Sequence, residues 1–123
     1  MMYRDTRDAS RSVTFKTAVL QGMDPETGGL YVPESIPELN RSFLSKNPSP
    51  SFRDIAFEVS RMFTAGENPE DELMEIIADA YPFTAPVAPI DPTTYVLELF
   101  HGPTCAFKDF GARFMARMMS YFN

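Results

Sequence analysis

Tryptophan does not occur in this 123-residue chain, and cysteine and histidine occur once each. A lone Cys105 excludes an internal disulfide framework and suits a reducing compartment. Positive charge is in short supply. Eleven Lys+Arg stand against 17 Asp+Glu, a formal charge of −6, with no basic cluster of the kind that neutralises phosphates. A nucleic-acid surface is therefore not expected. No apolar run approaches the roughly 20 residues of a membrane helix, so no membrane partner is expected. The opening MMYRDTRDAS has charges where a secretory signal needs an apolar core. The expectation is a cytoplasmic protein. What is there suits a globular domain: 44% apolar and 23% charged residues, with 11 Phe and 5 Tyr supplying core bulk. Eleven prolines fall mainly in 25–50 and 82–103, where they punctuate between elements. The eight methionines read as core or interface filler without metal-ligand spacing.

Along the chain, Met2–Arg4 reads as a short strand. Ser12 is the expected N-cap of a helix through Gln21, with Phe15, Ala18 and Val19 on one stripe and Gly22 as the stop. A turn over Met23–Gly29 leads to a brief strand Leu30–Val32, ended by Pro33. One short helix is expected within Ile36–Leu44, and a linker over Asn47–Pro50. Ser51, with Asp54 three residues on, predicts a capped helix whose apolar face is Phe52, Ile55, Ala56, Val59 and Met62, closed by Gly66. The next helix has Asn68 as its expected cap, Pro69 at its first position and the stripe Leu73, Ile76, Ile77, Ala80. Its acids Glu70, Asp71 and Glu72 are explained by the helix dipole, so no metal site is expected there.

Pro82–Pro92 reads as an extended connector, with a domain boundary near residue 90. Tyr95–Phe100 (YVLELF) suits a strand buried on both faces, as in a parallel sheet. After the tight turn HGPT comes a helix Ala106–Phe122, with Phe107, Phe110, Phe114, Met118 and Tyr121 on one stripe and Met115, Met119 and Phe122 on a second. Strand and helix make half of a βαβ unit without its second strand. The chain is therefore expected to be the front piece of a longer protein. On its own it is expected to self-associate through an unpaired strand edge and the terminal helix.

The chemistry-bearing stretch is His101-Gly102-Pro103-Thr104-Cys105-Ala106-Phe107-Lys108-Asp109-Phe110-Gly111, just past the carboxyl end of the predicted strand, where ligand sites of open α/β sheets gather. Thr104 is the expected cap of the following helix, which puts Lys108 in its first turns. The helix dipole and apolar cover from Phe107 and Phe110 would both favour a neutral amine, the form that makes a Schiff base. A solvated surface lysine stays open as the alternative. His101 reads as a loop hydrogen-bonding residue or as an acid, base or phosphate contact. Cys105 has no supporting nucleophile pattern. Asp109 either orients a neighbour or simply answers the dipole.

Two stretches resemble the threonine synthase family. One is Val13-Thr14-Phe15 with Leu20-Gln21-Gly22 and then Gly28-Gly29-Leu30-Tyr31-Val32-Pro33. The other, more specific, is Leu97-Glu98-Leu99-Phe100-His101-Gly102-Pro103-Thr104 continuing to Ala106-Phe107-Lys108-Asp109-Phe110-Gly111. The opening departs from the family's Ser-Thr-Arg-Gly segment, since Asp5-Thr6-Arg7-Asp8 stands in its place. The resemblance implies an α/β fold in which a small helix-rich amino-terminal module, residues 1–90, precedes the first strand and helix of a fold-type II pyridoxal-phosphate domain, residues 91–123. It implies a lyase of threonine biosynthesis, acting on O-phosphohomoserine and water to give threonine and phosphate. Lys108 would bind pyridoxal 5'-phosphate, Phe107 would contact the cofactor, and Thr104 and His101 would shape the substrate site. In the family the phosphate loop and the group facing the pyridine nitrogen come from later sequence, so this piece alone is expected to be inactive. Two other readings are another fold-type II pyridoxal-phosphate enzyme, against which the GGLYVP stretch argues, and a non-catalytic assembly module.

Overall fold

In the computed structural model, which describes residues 1–45 and 48–123, the chain opens at the middle of a small antiparallel sheet. β1 (Met2–Asp5) alternates outward and inward, so Tyr3 and Asp5 are buried. β2 (Ser12–Thr14) and β3 (Tyr31–Pro33) flank it, with Tyr3 opposite both Val13 and Pro33. Ser12 is thus a strand residue, paired with Arg4, and not the helix cap. The β-branched pair Val13 and Thr14 continues the strand against β1, which delays the helix by two residues. Thr14 does the capping of α1 (Phe15–Gln21): its side chain accepts the Thr17 N–H at 3.2 Å. Gly22, at φ 70°, ends the helix as expected. β3 keeps Pro33, which an edge strand tolerates.

Asp5 explains the unusual opening. Its carboxylate accepts the N–H groups of Arg7 and Asp8 at 2.5 and 2.7 Å and the Thr27 hydroxyl at 2.6 Å. It also fills the space a side chain on Gly29 would need: a Cβ there would lie 2.5 Å from Asp5 Oδ2. The DPETGG turn is so tied to β1. Asp24 repeats the device, accepting from Arg11 Nε at 3.0 Å and from the N–H of Glu26 at 2.8 Å.

α2 (Arg41–Leu44) is the short helix expected within 36–44, capped by Asn40. Of the expected linker, Asn47 lies outside the described residues. α3 (Phe52–Thr64) carries the complete capping box: Ser51 Oγ accepts the Asp54 N–H at 3.2 Å and Asp54 Oδ2 accepts the Ser51 N–H at 2.8 Å. Its apolar face is covered only in part. Phe52, Ala56 and Phe57 pack on the core, while Ile55 and Val59 are exposed, because α4 (Glu70–Ala80) covers a narrower sector than the stripe occupies. Asn68 does not cap α4. The cap position is Pro69, whose carbonyl accepts the Leu73 N–H at 3.1 Å, and Asn68 Oδ1 is buried without a partner. The stripe Leu73, Ile76, Ile77, Ala80 is buried in full and forms the core with Tyr81 and Met118.

Met118 belongs to α5 (Lys108–Phe122), which packs against α4 and α1. Arg113 fastens the pair by donating to the carbonyls of Ala80 and Asp79 at 2.7 and 3.1 Å, a cation placed on the carboxyl end of α4. Tyr81 Oη donates to the Phe110 carbonyl at 2.9 Å. Two strand expectations are corrected. The connector 82–92 contains β4 (Val87–Pro89), and the second strand is only β5 (Tyr95–Leu97), antiparallel to β4 and exposed throughout. The reason is local. Asp91 Oδ1 accepts the N–H groups of Thr93 and Thr94 at 2.9 Å each, which folds residues 90–94 into a turn and closes a hairpin. No layer of the described residues covers either face of it. The mixed α/β character stands.

Candidate functional site

The segment 98–111 runs from the end of β5 into α5. Glu98 Oε2 and His101 Nε2 share a hydrogen bond of 2.6 Å, and the His101 ring stacks on Phe100 with centroids 4.6 Å apart. His101 is exposed and Glu98 half-buried. Gly102 is buried, and its carbonyl accepts the Cys105 N–H at 3.0 Å to close a tight turn. Cys105 is exposed and is the one non-glycine residue at positive φ, 56°, among the described residues.

The helix expected from Ala106 begins at Lys108, and Thr104 does not cap it. The cap position is Phe107, whose backbone is already helical and whose side chain has no cap bond to make. Thr104 acts through its backbone: its N–H donates to Asp109 Oδ2 at 2.8 Å, a bond from the helix's first turn back to the preceding loop. Asp109 is buried.

Lys108 is the first residue of α5 and is exposed, with Nζ 4.8 Å from the centroid of the Phe107 ring. The described residues therefore do not supply the apolar cover expected over the amine. Phe107 is itself 64% exposed. On one flank the lysine borders an open depression of about 710 Å³, walled by Leu99, Phe107, Phe110, Gly111, Ala112 and Met115. Among the described residues that line it, Lys108 alone is charged. Of the four site residues expected from the sequence, Lys108 and Phe107 come together here, whereas His101 and Thr104 line no part of the depression. Sequence reasoning missed Leu99, Gly102 and Glu98 as members of the site. For Asp109 it held two readings, orienting a neighbour and answering the helix dipole, without foreseeing the close approach of Gly102.

A family model for the threonine synthase N terminus matches residues 2–81. Threonine synthase of Saccharomyces cerevisiae is 35% identical over 133 aligned positions, taking in 98% of this chain and 26% of the yeast protein. The crystal structure of threonine synthase from Escherichia coli superposes with a TM-score of 0.87 at 36% identity, covering 99% of this chain and 28% of that one. The pyridoxal-phosphate-bound threonine synthase from Brucella melitensis gives 0.88 at 34% identity, covering 99% and 27%. The chain spans about a quarter of the length of the relatives it matches. Its sheet, its helices and the loop before α5 thus all fall inside the likeness, and the chain belongs to the threonine synthase N-terminus family.

Proposed function

We propose that this chain is the amino-terminal portion of a threonine synthase, which converts O-phospho-L-homoserine and water to L-threonine and phosphate, and that Lys108 is the lysine to which pyridoxal 5'-phosphate attaches. The observation that carries the reading is one primary amine, Lys108 Nζ, at the first turn of α5 on the rim of an apolar depression. The residues fit part of the cofactor. Leu99, Phe107 and Phe110 are apolar walls for a flat heteroaromatic ring, and the lone lining amine suits its aldehyde. Among the described lining residues no charged group is left for the phosphate, which is assigned to residues beyond this segment.

When bound, the cofactor supplies a conjugated ring that spreads the charge of a substrate carbanion. The chain's own residues do the rest of the work assigned here. Lys108 Nζ accepts and returns protons beside the depression. Phe107 and Phe110 give it an apolar wall. His101, held by Glu98, and Thr104, tied through its N–H, shape the loop that borders the substrate side. Residues 1–90 form the amino-terminal module and 91–123 the start of the cofactor domain, with the division inside the turn of the β4–β5 hairpin. The lone unpaired Cys105 supports a cytoplasmic setting, and no helix among the described residues is long and apolar enough to cross a membrane. A second copy of the chain is the proposed partner of the open hairpin edges.

The test is reductive trapping. Pyridoxal phosphate is added, the mixture is reduced with borohydride, and the modified lysine is mapped by peptide mass spectrometry. The expected label sits on Lys108 and disappears in Lys108→Ala. A label confined to another lysine overturns the assignment. The 123-residue chain on its own is expected to release no phosphate from O-phosphohomoserine.

A further inference from the structure

Asp109 follows the proposed cofactor lysine directly in the chain, and only 6% of it is exposed. A carboxylate in the first turn of a helix ordinarily answers the free N–H groups from solvent. Here the side chain folds back beneath the preceding loop. Oδ2 accepts the Thr104 N–H at 2.8 Å. Gly102 lies directly against it, so close that a Cβ at Gly102 would stand 2.7 Å from Asp109 Cβ. Between Thr104 and Asp109 the chain turns through Cys105 at φ 56°, a conformation that a residue with a side chain holds only where its surroundings enforce it.

The start of α5 has little else to hold it. It lacks a side-chain cap, and its first bonds span three residues, from Asp109 N to the Ala106 carbonyl at 3.0 Å and from Phe110 N to the Phe107 carbonyl at 3.2 Å. Lys108 sits on that weakly held turn, and fraying there would carry its amine away from the wall formed by Phe107.

We propose that Asp109 is a positioning residue for Lys108: its buried carboxylate latches the Gly102–Cys105 turn to the first turn of α5 and so fixes the side on which the lysine amine meets the apolar depression. The proposal deepens the reading of Lys108 as the cofactor lysine and rests on it for its consequence in catalysis. The latch itself depends only on the local geometry.

The experiment uses the 123-residue chain. Its amines are labelled with trinitrobenzenesulfonate, and the ratio of label at Lys108 to label at Lys16 is read by mass spectrometry. Hydrogen exchange is followed at the amides of Thr104, Leu73 and Ile77. In Asp109→Ala the Lys108 ratio is expected to rise about threefold and Thr104 exchange to quicken about tenfold, the factor for one net hydrogen bond, with Leu73 and Ile77 as protected as before. Gly102→Ala, which displaces the carboxylate, is expected to match it. Asp109→Asn, whose amide oxygen still accepts, is expected to stay within about twofold of the parent. An unchanged Lys108 ratio in Asp109→Ala, with Thr104 exchange quickened, overturns the positioning role. If Asp109→Ala loses protection at Leu73 and Ile77, the same ratio in Gly102→Ala decides the matter. Reductive trapping with pyridoxal phosphate is scored apart. In the full-length protein a label confined to another lysine removes the cofactor reading, while the trinitrobenzenesulfonate ratio still judges the latch.

Discussion

Buried carboxylates do more at the amino-terminal end of this chain than their number suggests. Hydrogen bonding, first of all from the Thr27 hydroxyl, holds the Asp5 carboxyl below the ordinary range. Asp8 is lowered chiefly by Ser10, and Glu26 by Arg11. At Asp24 burial pushes upward, and the N–H groups of Glu26 and Thr27 with the Tyr31 hydroxyl and Arg11 outweigh it. All four groups titrate lower when folded than when unfolded. In acid the unfolded chain therefore binds protons that the folded chain refuses, and stability falls as pH falls. The contribution is complete above the unfolded values of about 4 and is lost as pH descends through them toward the lowered folded ones. Thermal melting followed by circular dichroism is expected to give a steady Tm from neutral pH to about pH 5 and a falling Tm below about pH 4. Asp5→Asn is expected to melt lower at neutral pH and to show a shallower acid slope, since one linked proton is gone. Equal acid slopes for parent and variant would place the linkage elsewhere. The departure of this chain from its family's Ser-Thr-Arg-Gly opening thus has a structural meaning: Asp5 ties the opening strand to the GGLYVP segment through Thr27 and Gly29.

Among the helices, α4 is the one on which the others depend. Leu73 and Ile77 are almost wholly buried between α3 and α5, so Leu73→Ala is expected to cost about 2–5 kcal/mol, the transfer term plus the cavity left behind. Ser51→Ala removes a cap on an exposed helix end and is expected to cost about 1 kcal/mol. Urea denaturation of both variants checks the order, and a larger loss from the cap than from Leu73 would contradict this placement of the core. These two features were also the ones most legible from the residues alone. A capping box and a four-residue apolar stripe are local signals, repeated within one or two turns, and tertiary packing had only to agree with them. Legibility failed where the deciding partner was remote or small. Ser12 looked like a cap because Arg4 of β1, which claims it as a strand partner, lies eight positions away. YVLELF looked like a buried parallel strand because its composition is apolar, yet the Asp91 turn supplied an antiparallel partner from inside a proline-rich connector. At the site, the position of Lys108 after a strand was legible and its place at the start of α5 agreed. The Thr104 cap did not form: the Thr104 N–H is drawn to Asp109 Oδ2, and the helix start carries no side-chain cap.

At the level of the whole chain, apolar surface is distributed unevenly. The inner side of α5 is spent on the core, with Met118 fully buried and Phe110 and Phe114 packed on Tyr81. Exchange of that helix between copies would require withdrawing Met118 from its place beside Leu73 and Ile77. The hairpin has no such tie. Val87, Tyr95, Val96 and Leu97 are exposed on two three-residue strands, each with one unpaired edge, and Ile90 is exposed in the turn between them. An unpaired edge is a template for another strand; Pro89 and the shortness of β4 blunt one edge, which leaves β5 as the more open of the two. The net charge of −6 opposes close approach only weakly at physiological salt, where the Debye length is about 8 Å. Edge pairing between copies is therefore the expected route of self-association for the 123-residue chain. Light scattering is expected to report a mass above that of one chain, rising with concentration. Val96→Lys, which places a charge on the β5 strand while leaving the α4 core untouched, is expected to return the mass to that of one chain. A monodisperse single chain in the parent, or an unchanged mass in the variant, would move the contact away from the hairpin.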